Sequence, residues 1–347
     1  MRILSLAAVL AMMAGAALSG QTPNNIEAVE YDPGSDRWFV SNGSSLLVTE
    51  DLGETWSAFG EAEASHGMEV VGDVLYAIGN NVIRAYDLGN AGLLGSLAIP
   101  GVGFLNGMGN NGANQLVISD FSGGRLYTVD ISDPSAMTYG QLTGNLGETP
   151  NGVVVDTENN RAIVVCWGND ANILAVDLES GEVSILVDGS GMGNLDGIDN
   201  DGDGHYYVSS WSPNKVTRYN ADFSEAEPVL GPADGLSSPA DISYALETDV
   251  LGVANSGNAE VTFHNFGEAA NGLAIVENWS AQHLGDRLVF QLPAGMKVNW
   301  SGYDVTGRLM FDREEWLPSG TVSMPWPLDH VGGVILIEAE GKRTTLR

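Results

Sequence analysis

Short apolar runs recur along most of the chain and alternate with clusters of Gly, Asn, Asp and Ser. The runs are rich in β-branched and aromatic residues, which is typical of β-strands separated by tight turns. Six segments open in a similar way: IEAVEYD, SHGMEVV, LNGMGNN, PNGVVVD, LDGIDND and PADISYA. These openings recur about every 39 to 45 residues, which is the period of a four-stranded propeller blade. The pattern predicts an all-β chain with a six-bladed β-propeller of four-stranded blades over residues 25–267.

Composition agrees with this prediction and excludes two classes of partner. Of the 347 residues 45 are glycine and only 17% are charged, which does not suit a helical bundle. The formal net charge is -31, with only 14 Lys and Arg. Phosphate neutralisation needs a basic surface, so nucleic acid is excluded as a partner, and an anionic membrane surface would repel the protein.

The first residues predict export. Residues 1–20, MRILSLAAVLAMMAGAALSG, have one arginine, an apolar run and a small-residue end, which is the pattern of a secretory signal peptide. The alternative is a membrane anchor, which the polar QTPNN that follows disfavours. Cleavage would give a secreted or cell-surface protein with no membrane span in its mature form. The single cysteine, Cys166, has no partner for a disulfide, so we expect a buried thiol.

Polar residues occupy the second position of most of the six openings. The first strand of each propeller blade lines the central channel, so equivalent positions form a ring at one mouth. The predicted ring is Glu27, His66, Asn106, Asn151, Asp196 and Ala240. Carboxylate and amide oxygens suit a hard cation such as Ca²⁺, whereas a zinc site would need more His or Cys. The alternative is that the Asn-Gly and Asp-Gly pairs are only turns between blades.

The propeller region resembles the gluconolactonase and senescence-marker-protein (regucalcin) family of six-bladed propellers. The resemblance is carried by Pro150-Asn151-Gly152, Leu195-Asp196-Gly197-Ile198, Asn106 and Glu27. It implies that Glu27, Asn151 and Asp196 hold one divalent cation, with Ca²⁺ the best match, and that Asn106 faces a small-molecule substrate. The implied reaction is metal-assisted hydrolysis of a lactone or ester. Asp196 would take a proton from the attacking water, and His66 is a rival base because its ordinary pKa lies near neutrality.

Three departures from the family pattern leave a second function open. Ala28-Val29 follows Glu27 in place of Gly-Pro, Gly107 replaces an acidic residue, and Phe104 stands where the family often has an arginine. The alternative function is a non-catalytic extracellular binding or interaction propeller.

Two turn motifs add candidate structural elements. The run from Asp199 to Gly204 matches the first half of a calcium loop, which makes Asp199, Asp201 and Asp203 second metal candidates. Because position twelve of that loop would be Ser210 instead of a glutamate, we favour a plain acidic hairpin turn in blade five. Thr49 to Trp56 resembles the Asp-box hairpin of sialidases, and we expect it to stabilise a turn.

The repeat stops after Phe266, and GEAANG predicts a linker. Residues 273–347 resemble the C-terminal sorting domain of the type IX secretion system of Bacteroidota. The resemblance is carried by YDVTGRL at Tyr303 to Leu309 and GGVILI at Gly332 to Ile337, with Lys342 and Arg343 near the end. Asn278-Trp279-Ser280-Ala281 replaces the usual Tyr-Pro-Asn-Pro. The implied fold is a small β-sandwich that addresses the protein to the type IX machinery; the alternative is a carbohydrate-binding or stalk-like sandwich.

Overall fold

The computed structural model describes residues 20–266 and, beyond them, 280–284, 287–292, 296–304, 308–317, 320–325, 333–339 and 342–346. The chain divides into two units, Met1–Gly267 and Glu268–Arg347. Residues 1–19 of the predicted signal peptide and the predicted linker lie outside the described residues. Within the described part, no helix has the length and apolar character needed to cross a membrane.

The first unit confirms the all-β prediction and the six-bladed β-propeller. Blades one to three are antiparallel four-stranded sheets in which each strand pairs with the next along the chain. Their strands are β1 Val29–Asp32, β2 Arg37–Asn42, β3 Ser45–Thr49 and β4 Ser57–Ala58; β5 Met68–Val71, β6 Val74–Gly79, β7 Val82–Asp87 and β8 Leu93–Ala98; β9 Leu105–Asn110, β10 Gln115–Asp120, β11 Arg125–Asp130 and β12 Thr138–Gln141.

Blades four and five follow the same order, and blade six differs. Their strands are β13 Thr149–Asp156, β14 Arg161–Trp167, β15 Ile173–Asp177 and β16 Val183–Val187; β17 Gly193–Asn200, β18 His205–Ser212, β19 Asn214–Asn220 and β20 Ala226–Leu230; and, after a 3-10 turn at Pro232–Asp234, β21 Pro239–Ala245, β22 Val250–Asn255 and β23 Glu260–Asn265. Blade six has three described strands, and the fourth strand predicted for it would follow Phe266, outside the described residues.

Apolar clusters fill the interfaces between successive blades. At the interface that closes the ring, Trp38 and Val40 of blade one share a buried cluster with Ala245 and Ala254 of blade six. The backbone N–H of Asp241 donates to the carbonyl of Glu27 at 2.9 Å across the same interface. Side-chain packing and this hydrogen bond therefore join the last blade to the first.

A β-bulge interrupts the first strand of blades three to six at the predicted ring position. Two residues of the first strand there oppose one residue of the second strand: Asn106–Gly107, Asn151–Gly152, Asp196–Gly197 and Ala240–Asp241. Hydroxyls of the second strand satisfy two of these bulges, because Ser119 and Ser209 accept the N–H of Gly107 and Gly197 at 2.8 Å. The extra residue shifts the alternation of side chains, so positions i and i+3 face the same side of the strand.

The glycines of these pairs lie where the backbones of neighbouring inner strands come close together, and they are not turn residues. A Cβ on Gly107 would lie 2.2 Å from the carbonyl oxygen of Asn151, and one on Gly152 would lie 2.3 Å from that of Asp196. Neither glycine has a positive φ. Glycine is needed because the inner strands of neighbouring blades nearly touch. The alternative that the Asn-Gly and Asp-Gly pairs form turns between blades is therefore wrong.

The second unit consists of strands in its described residues. They are β24 Ser280–Leu284, β25 Arg287–Leu292, β26 Met296–Asp304, β27 Leu309–Leu317, β28 Gly320–Pro325, β29 Gly333–Ala339 and β30 Lys342–Leu346. One sheet has the order β24-β25-β28 and the other β27-β26-β29-β30. Residues 305–307 of the YDVTGRL motif and residue 332 of GGVILI lie outside the described residues.

Candidate functional site

Five of the six predicted ring residues line one cavity of about 1090 Å³ at one mouth of the channel. They are Glu27, His66, Asn106, Asn151 and Asp196. Ala240 occupies the equivalent bulge position in blade six, but it does not line the cavity. The other residue of that bulge pair, Asp241, lines a smaller cavity. Burial and the charge of Asp196 raise the pKa of Asp241, and the charge of Asp241 adds to burial and Asp196 in raising the pKa of Glu27.

The two asparagines form a hydrogen-bonded chain that leads to Asp196. Asn106 Nδ2 donates to Asn151 Oδ1 at 2.6 Å, and Asn151 Nδ2 donates to the carbonyl of Leu195 at 3.1 Å. The Asn151 amide also lowers the pKa of the Asp196 carboxyl by hydrogen bonding, although burial outweighs it. Both asparagines are buried, so these bonds fix the amides against solvent competition.

Two carboxyl groups face this cavity without a basic partner. Burial raises the pKa of Asp196 to about 7 and, together with the charges of Asp196 and Asp241, raises the pKa of Glu27 well above its ordinary value. Glu27 Oε2 is buried and accepts no hydrogen bond. The cavity lining contains no Lys or Arg. A buried carboxylate without a counter-charge is costly, so this site favours a proton or a cation.

His66 lies at the same mouth, and it is a weak base there. Its Nδ1 is 2.8 Å from Ser65 Oγ, and its ring meets the Phe104 ring edge to face at a centroid distance of 4.6 Å. Burial lowers the pKa of His66 to about 4, because the charged imidazolium is poorly solvated. His66 is therefore neutral at neutral pH, and Asp196 is the better match for accepting a proton.

Sequence reasoning missed an arc of aromatic rings on the same cavity. His66, Phe104, Phe121, Trp167 and Trp211 contact one another in succession, each half-buried and edge to face with the next, and we call this arc the aromatic wall. The centroid distances run from 4.6 to 5.9 Å. The Trp211 indole lies beside Asp196 and lowers the pKa of that carboxyl, although its buried Nε1–H meets no acceptor at hydrogen-bond geometry.

A sequence pattern that could have predicted the aromatic wall is a second set of equivalent positions in the repeats. The residues within one position of the end of the second strand in the six blades all line the cavity: Asn42, Asn80, Phe121, Trp167, Trp211 and Ser256. Three successive blades contribute aromatic rings, and the other three contribute amides or a hydroxyl. The mouth is therefore apolar on one half and polar on the other.

Asp120 holds part of this wall in place. Its Oδ1 accepts the backbone N–H groups of Gly103, Phe104 and Gly123 at 2.9 to 3.0 Å. These bonds tie the segment before β9 to the turn after β10, and the two segments carry Phe104 and Phe121. Asp120 is fully buried, so it acts as a positioning residue with no contact to the cavity.

A second acidic group lies on the first strands beyond the bulges. Glu30, Glu69, Asp199 and Asp241 line a smaller cavity of about 200 Å³. Glu30, Glu69 and Asp199 each lie three residues after a ring residue, and for Asp199 the bulge at Asp196–Gly197 accounts for this spacing. Here the carboxyls have partners: Val70 N–H donates to Glu30 at 2.9 Å, Tyr244 N–H to Asp199 at 2.6 Å, and the Asn110 amide to Glu69. Burial raises the pKa of all four, and for Asp199 to about 7.

The acidic turn of blade five uses its carboxylates within the hairpin. Asp199 Oδ1 accepts the Asn200 N–H, and its other oxygen accepts Tyr244. Asp201 Oδ1 accepts the N–H groups of Asp203 and His205, and its Oδ2 is 2.8 Å from His205 Nδ1. Asp203 is exposed. Asp199 and Asp201 are thus engaged by different groups, which is what the hairpin interpretation predicts.

The Thr49 to Trp56 motif forms a compact turn stabilised by its own side chains. Asp51 accepts hydrogen bonds from Thr49 Oγ1 at 2.7 Å and from Thr55 Oγ1 at 2.6 Å, and Trp56 is buried behind them. Cys166 is fully buried, and burial raises the pKa of its thiol to about 12. Neither feature contributes a group to the mouth cavity.

The donor set for a metal is mixed. No group of three His, Cys, Asp or Glu side chains among the described residues is arranged to hold a metal ion by itself. At the mouth two carboxylates, Glu27 and Asp196, would have to be completed by amide oxygens such as Asn151 Oδ1. Oxygen donors of this mixture suit Ca²⁺ and not a transition metal.

Comparison with known proteins supports the fold and goes no further. No family model matches the chain, and no curated protein matches it. The chain is similar to a Bacteroides thetaiotaomicron protein of unknown function, with 12% identity, 71% of this chain and 70% of that chain covered, and a TM-score of 0.55. It is also similar to a chain of the nidogen/laminin complex, with 14% identity, 66% and 92% covered, and a TM-score of 0.51.

A third similar structure is a chain of the mitotic checkpoint complex, with 12% identity, 74% of this chain and 99% of that chain covered, and a TM-score of 0.51. The fold is a β-propeller. At these identities the likeness concerns the fold alone, and the site residues have to be interpreted from their own chemistry.

Proposed function

We propose that this propeller holds a divalent cation, Ca²⁺, at its mouth through Glu27, Asn151 and Asp196, and hydrolyses a lactone or ester there. The observation that carries the proposal is a pair of carboxyls, the half-buried Glu27 with its buried Oε2 and the buried Asp196, in a cavity whose lining has no Lys or Arg. Glu27 Oε2 is buried without a partner, and a cation would satisfy it. The residues present therefore fit a hard cation.

Each residue of the site would have a distinct part in the reaction. The cation, when bound, would polarise the carbonyl of the substrate. Asp196 would accept a proton from the attacking water through the carboxylate oxygen that does not hold the cation. Asn106 would face the substrate, and its bond to Asn151 holds both amides in position. His66, with a pKa of about 4, would orient the substrate and take no proton.

A combined calcium and turnover experiment tests the proposal on the full chain. Adding millimolar Ca²⁺ to chelator-treated protein should raise the melting temperature by several degrees, because a ligand that binds only the folded state stabilises it. Turnover on a panel of lactones and aryl esters should need Ca²⁺. Asp196→Asn should remove both effects, whereas the control Asp203→Asn, in the exposed turn of blade five, should retain them. A melting temperature that ignores both Ca²⁺ and chelator, together with no turnover on the panel, would refute the proposal.

A non-catalytic binding propeller is the second candidate, and one contact favours it. The Asn151 amide already satisfies part of the Asp196 carboxyl within the protein, so the site can persist without a cation. Phe104 and Gly107 also lack the charged groups of the resembling family. This candidate expects a ligand to bind at the mouth with no turnover in the same assay.

For the second unit we propose export by a type IX secretion system, with the mature protein secreted or at the cell surface. The support is the two sequence motifs, YDVTGRL and GGVILI, and the strands β26, β27 and β29 that contain part of them. Deleting the residues after about 270 should leave a folded propeller inside the cell. Normal delivery of the truncated protein to the cell surface would contradict the proposal that the second unit is an export signal.

A further inference from the structure

The aromatic wall has no part in the proposed proton transfer or cation binding, although it forms one half of the mouth. Phe121, Trp167 and Trp211 come from three successive blades and are each half-buried. Their edge-to-face contacts, with centroids 5.9 and 5.1 Å apart, fix the rings against one another. Fixed aromatic rings that stay half-exposed inside a concave site are a characteristic of ligand pockets.

We propose that the mouth cavity takes an uncharged ligand with a ring that has a flat apolar face, and that this face packs on Phe121, Trp167 and Trp211. The inference deepens the proposed function, on which it rests for the chemistry of the polar half, but the wall would bind a ring without any reaction. The ring is either an aryl group or a pyranose, since both present a flat face of C–H or π character to an aromatic surface.

The size of the cavity agrees with a ring-bearing ligand. Its volume of about 1090 Å³ is just above the usual range for small-molecule sites and far exceeds the room that a cation and one carbonyl group need. The wall stands beside the carboxyls, because the Trp211 indole lies next to Asp196. The Trp211 Nε1–H, which is buried with no acceptor at hydrogen-bond geometry, lies on this side of the cavity beside Asp196.

The charge of the lining selects against acids. Glu27 and Asp196 are the ionisable acids of the cavity, and no Lys or Arg is present to pair with a ligand carboxylate. Phe104, the residue of the aromatic wall that contacts His66 and Phe121, carries no charge. An anionic ligand would therefore lose its hydration without gaining a partner, whereas an uncharged analogue of the same shape would not.

The polar half provides groups for the edge of the ring. Asn80 is exposed, and its amide makes no hydrogen bond with the described part of the protein. Asn42, by contrast, is used internally, because its Oδ1 accepts the N–H groups of Asn24 and Asn25. The Asn80 side-chain amide is therefore available on this side to bond a hydroxyl or carbonyl of the ligand.

The test uses two matched pairs of probes on the full chain: methyl β-D-glucopyranoside against glucuronate, and benzamide against benzoate. Binding is followed by calorimetry and by saturation transfer from aromatic protein protons to the ring protons of the probe, in Ca²⁺ and in chelator. We expect the uncharged member of one pair to bind at least about tenfold more tightly than its acid in both conditions. The pair that shows the difference identifies the ring as aryl or pyranose.

Variants decide whether the wall is responsible. Trp167→Ala and Trp211→Ala should each weaken binding of that probe about tenfold, and Trp167→Phe, which keeps a ring, should restore most of it. Tyr139→Ala, which removes an exposed ring on β12, is the matched control and should have no effect. If an alanine variant does not fold, saturation transfer to the ring protons in the unaltered protein still reports contact with the wall.

Three results would overturn the proposal: no binding of either uncharged probe, equal binding of the acid and its uncharged partner, or binding that ignores both tryptophan substitutions. Persistence of ring binding in chelator separates this inference from the proposed function. Loss of Ca²⁺ dependence and turnover with retained ring binding would refute the hydrolase alone, whereas loss of ring binding with retained turnover would refute the wall alone.

Discussion

The two ends of the propeller channel carry similar acidic residues in opposite states. At the wide end, Glu27 has a buried oxygen without a partner and Asp196 is held by an asparagine, in a cavity of about 1090 Å³. At the narrow end, Glu30, Glu69 and Asp199 each accept an N–H from the protein, around a cavity of about 200 Å³. A cluster of acidic residues is a candidate ligand site where a carboxylate that lines a cavity has an oxygen without a protein partner. Where the protein itself pairs the carboxylate oxygens, the cluster is a structural network.

The largest expected effect comes from a change that disturbs both ends, since the bulges position the residues of each. Gly152→Ala would place a Cβ 2.3 Å from the carbonyl oxygen of Asp196, which is backbone and cannot move aside cheaply. We expect a loss of about 3 kcal/mol or more in the free energy of unfolding, measured by urea denaturation.

Gly144→Ala is the matched control for this change. A Cβ at Gly144 meets no atom within 4 Å, so its effect should stay within about 0.5 kcal/mol. Equal losses for the two variants would show that the inner strands do not approach as closely as the structure indicates.

The propeller itself could be predicted from the sequence because a blade is a local unit. Its strands, its turns and its period all leave traces within about 45 residues, so aligning the openings gave the blade count and brought five ring residues to one mouth. The same alignment, taken at the end of each second strand, would have found Trp167 and Trp211. The aromatic positions were therefore detectable in the sequence, at a different position within each repeat.

The remaining features depend on backbone geometry that a residue pattern does not encode. The bulge in blade five places Asp199, three residues after Asp196, at the narrow end, and in blade six Ala240 shares the bulge with Asp241, which lines the narrow end. Regular alternation predicts that residues i and i+2 share a face, and one inserted residue changes this to i+3. The role of Gly152 likewise depends on a carbonyl from the next blade, about 45 residues away in the sequence.

A pair of alanine substitutions, one at each end, tests the contrast directly. Asp199→Ala should cost about 2 kcal/mol or more, because it leaves the N–H groups of Tyr244 and Asn200 without acceptors. Glu27→Ala removes a buried carboxyl whose Oε2 has no partner, so in chelator it should be neutral or slightly stabilising. Both are measured by urea denaturation at pH 7, and a larger loss for Glu27→Ala would reverse the assignment of the two ends.

The smallest effect is a pH dependence that belongs to the wide end. The pKa of Asp196 is about 7 in the folded protein against an ordinary value of 3.8, so the folded state binds this proton more tightly than the unfolded state. The resulting stabilisation is fully present below about pH 4 and is lost as the pH rises through about 7. Asp196→Asn removes this contribution and also relieves Glu27 and Asp241 of a neighbouring charge that raises their pKa.

In chelator, the free energy of unfolding should fall between pH 5 and pH 7 in the unaltered protein. In Asp196→Asn this fall should be smaller by on the order of 1 to 2 kcal/mol. Urea denaturation at pH 5, 6, 7 and 8 measures the two slopes, with Asp203→Asn in the exposed turn as the control that should follow the unaltered protein. Added Ca²⁺ should flatten the slope of the unaltered protein, because a cation takes the place of the proton between the carboxylates, and it should leave Asp196→Asn unchanged. Parallel curves in chelator would mean that Asp196 is solvated in the cavity, and the wide end would then differ from the narrow end in size alone.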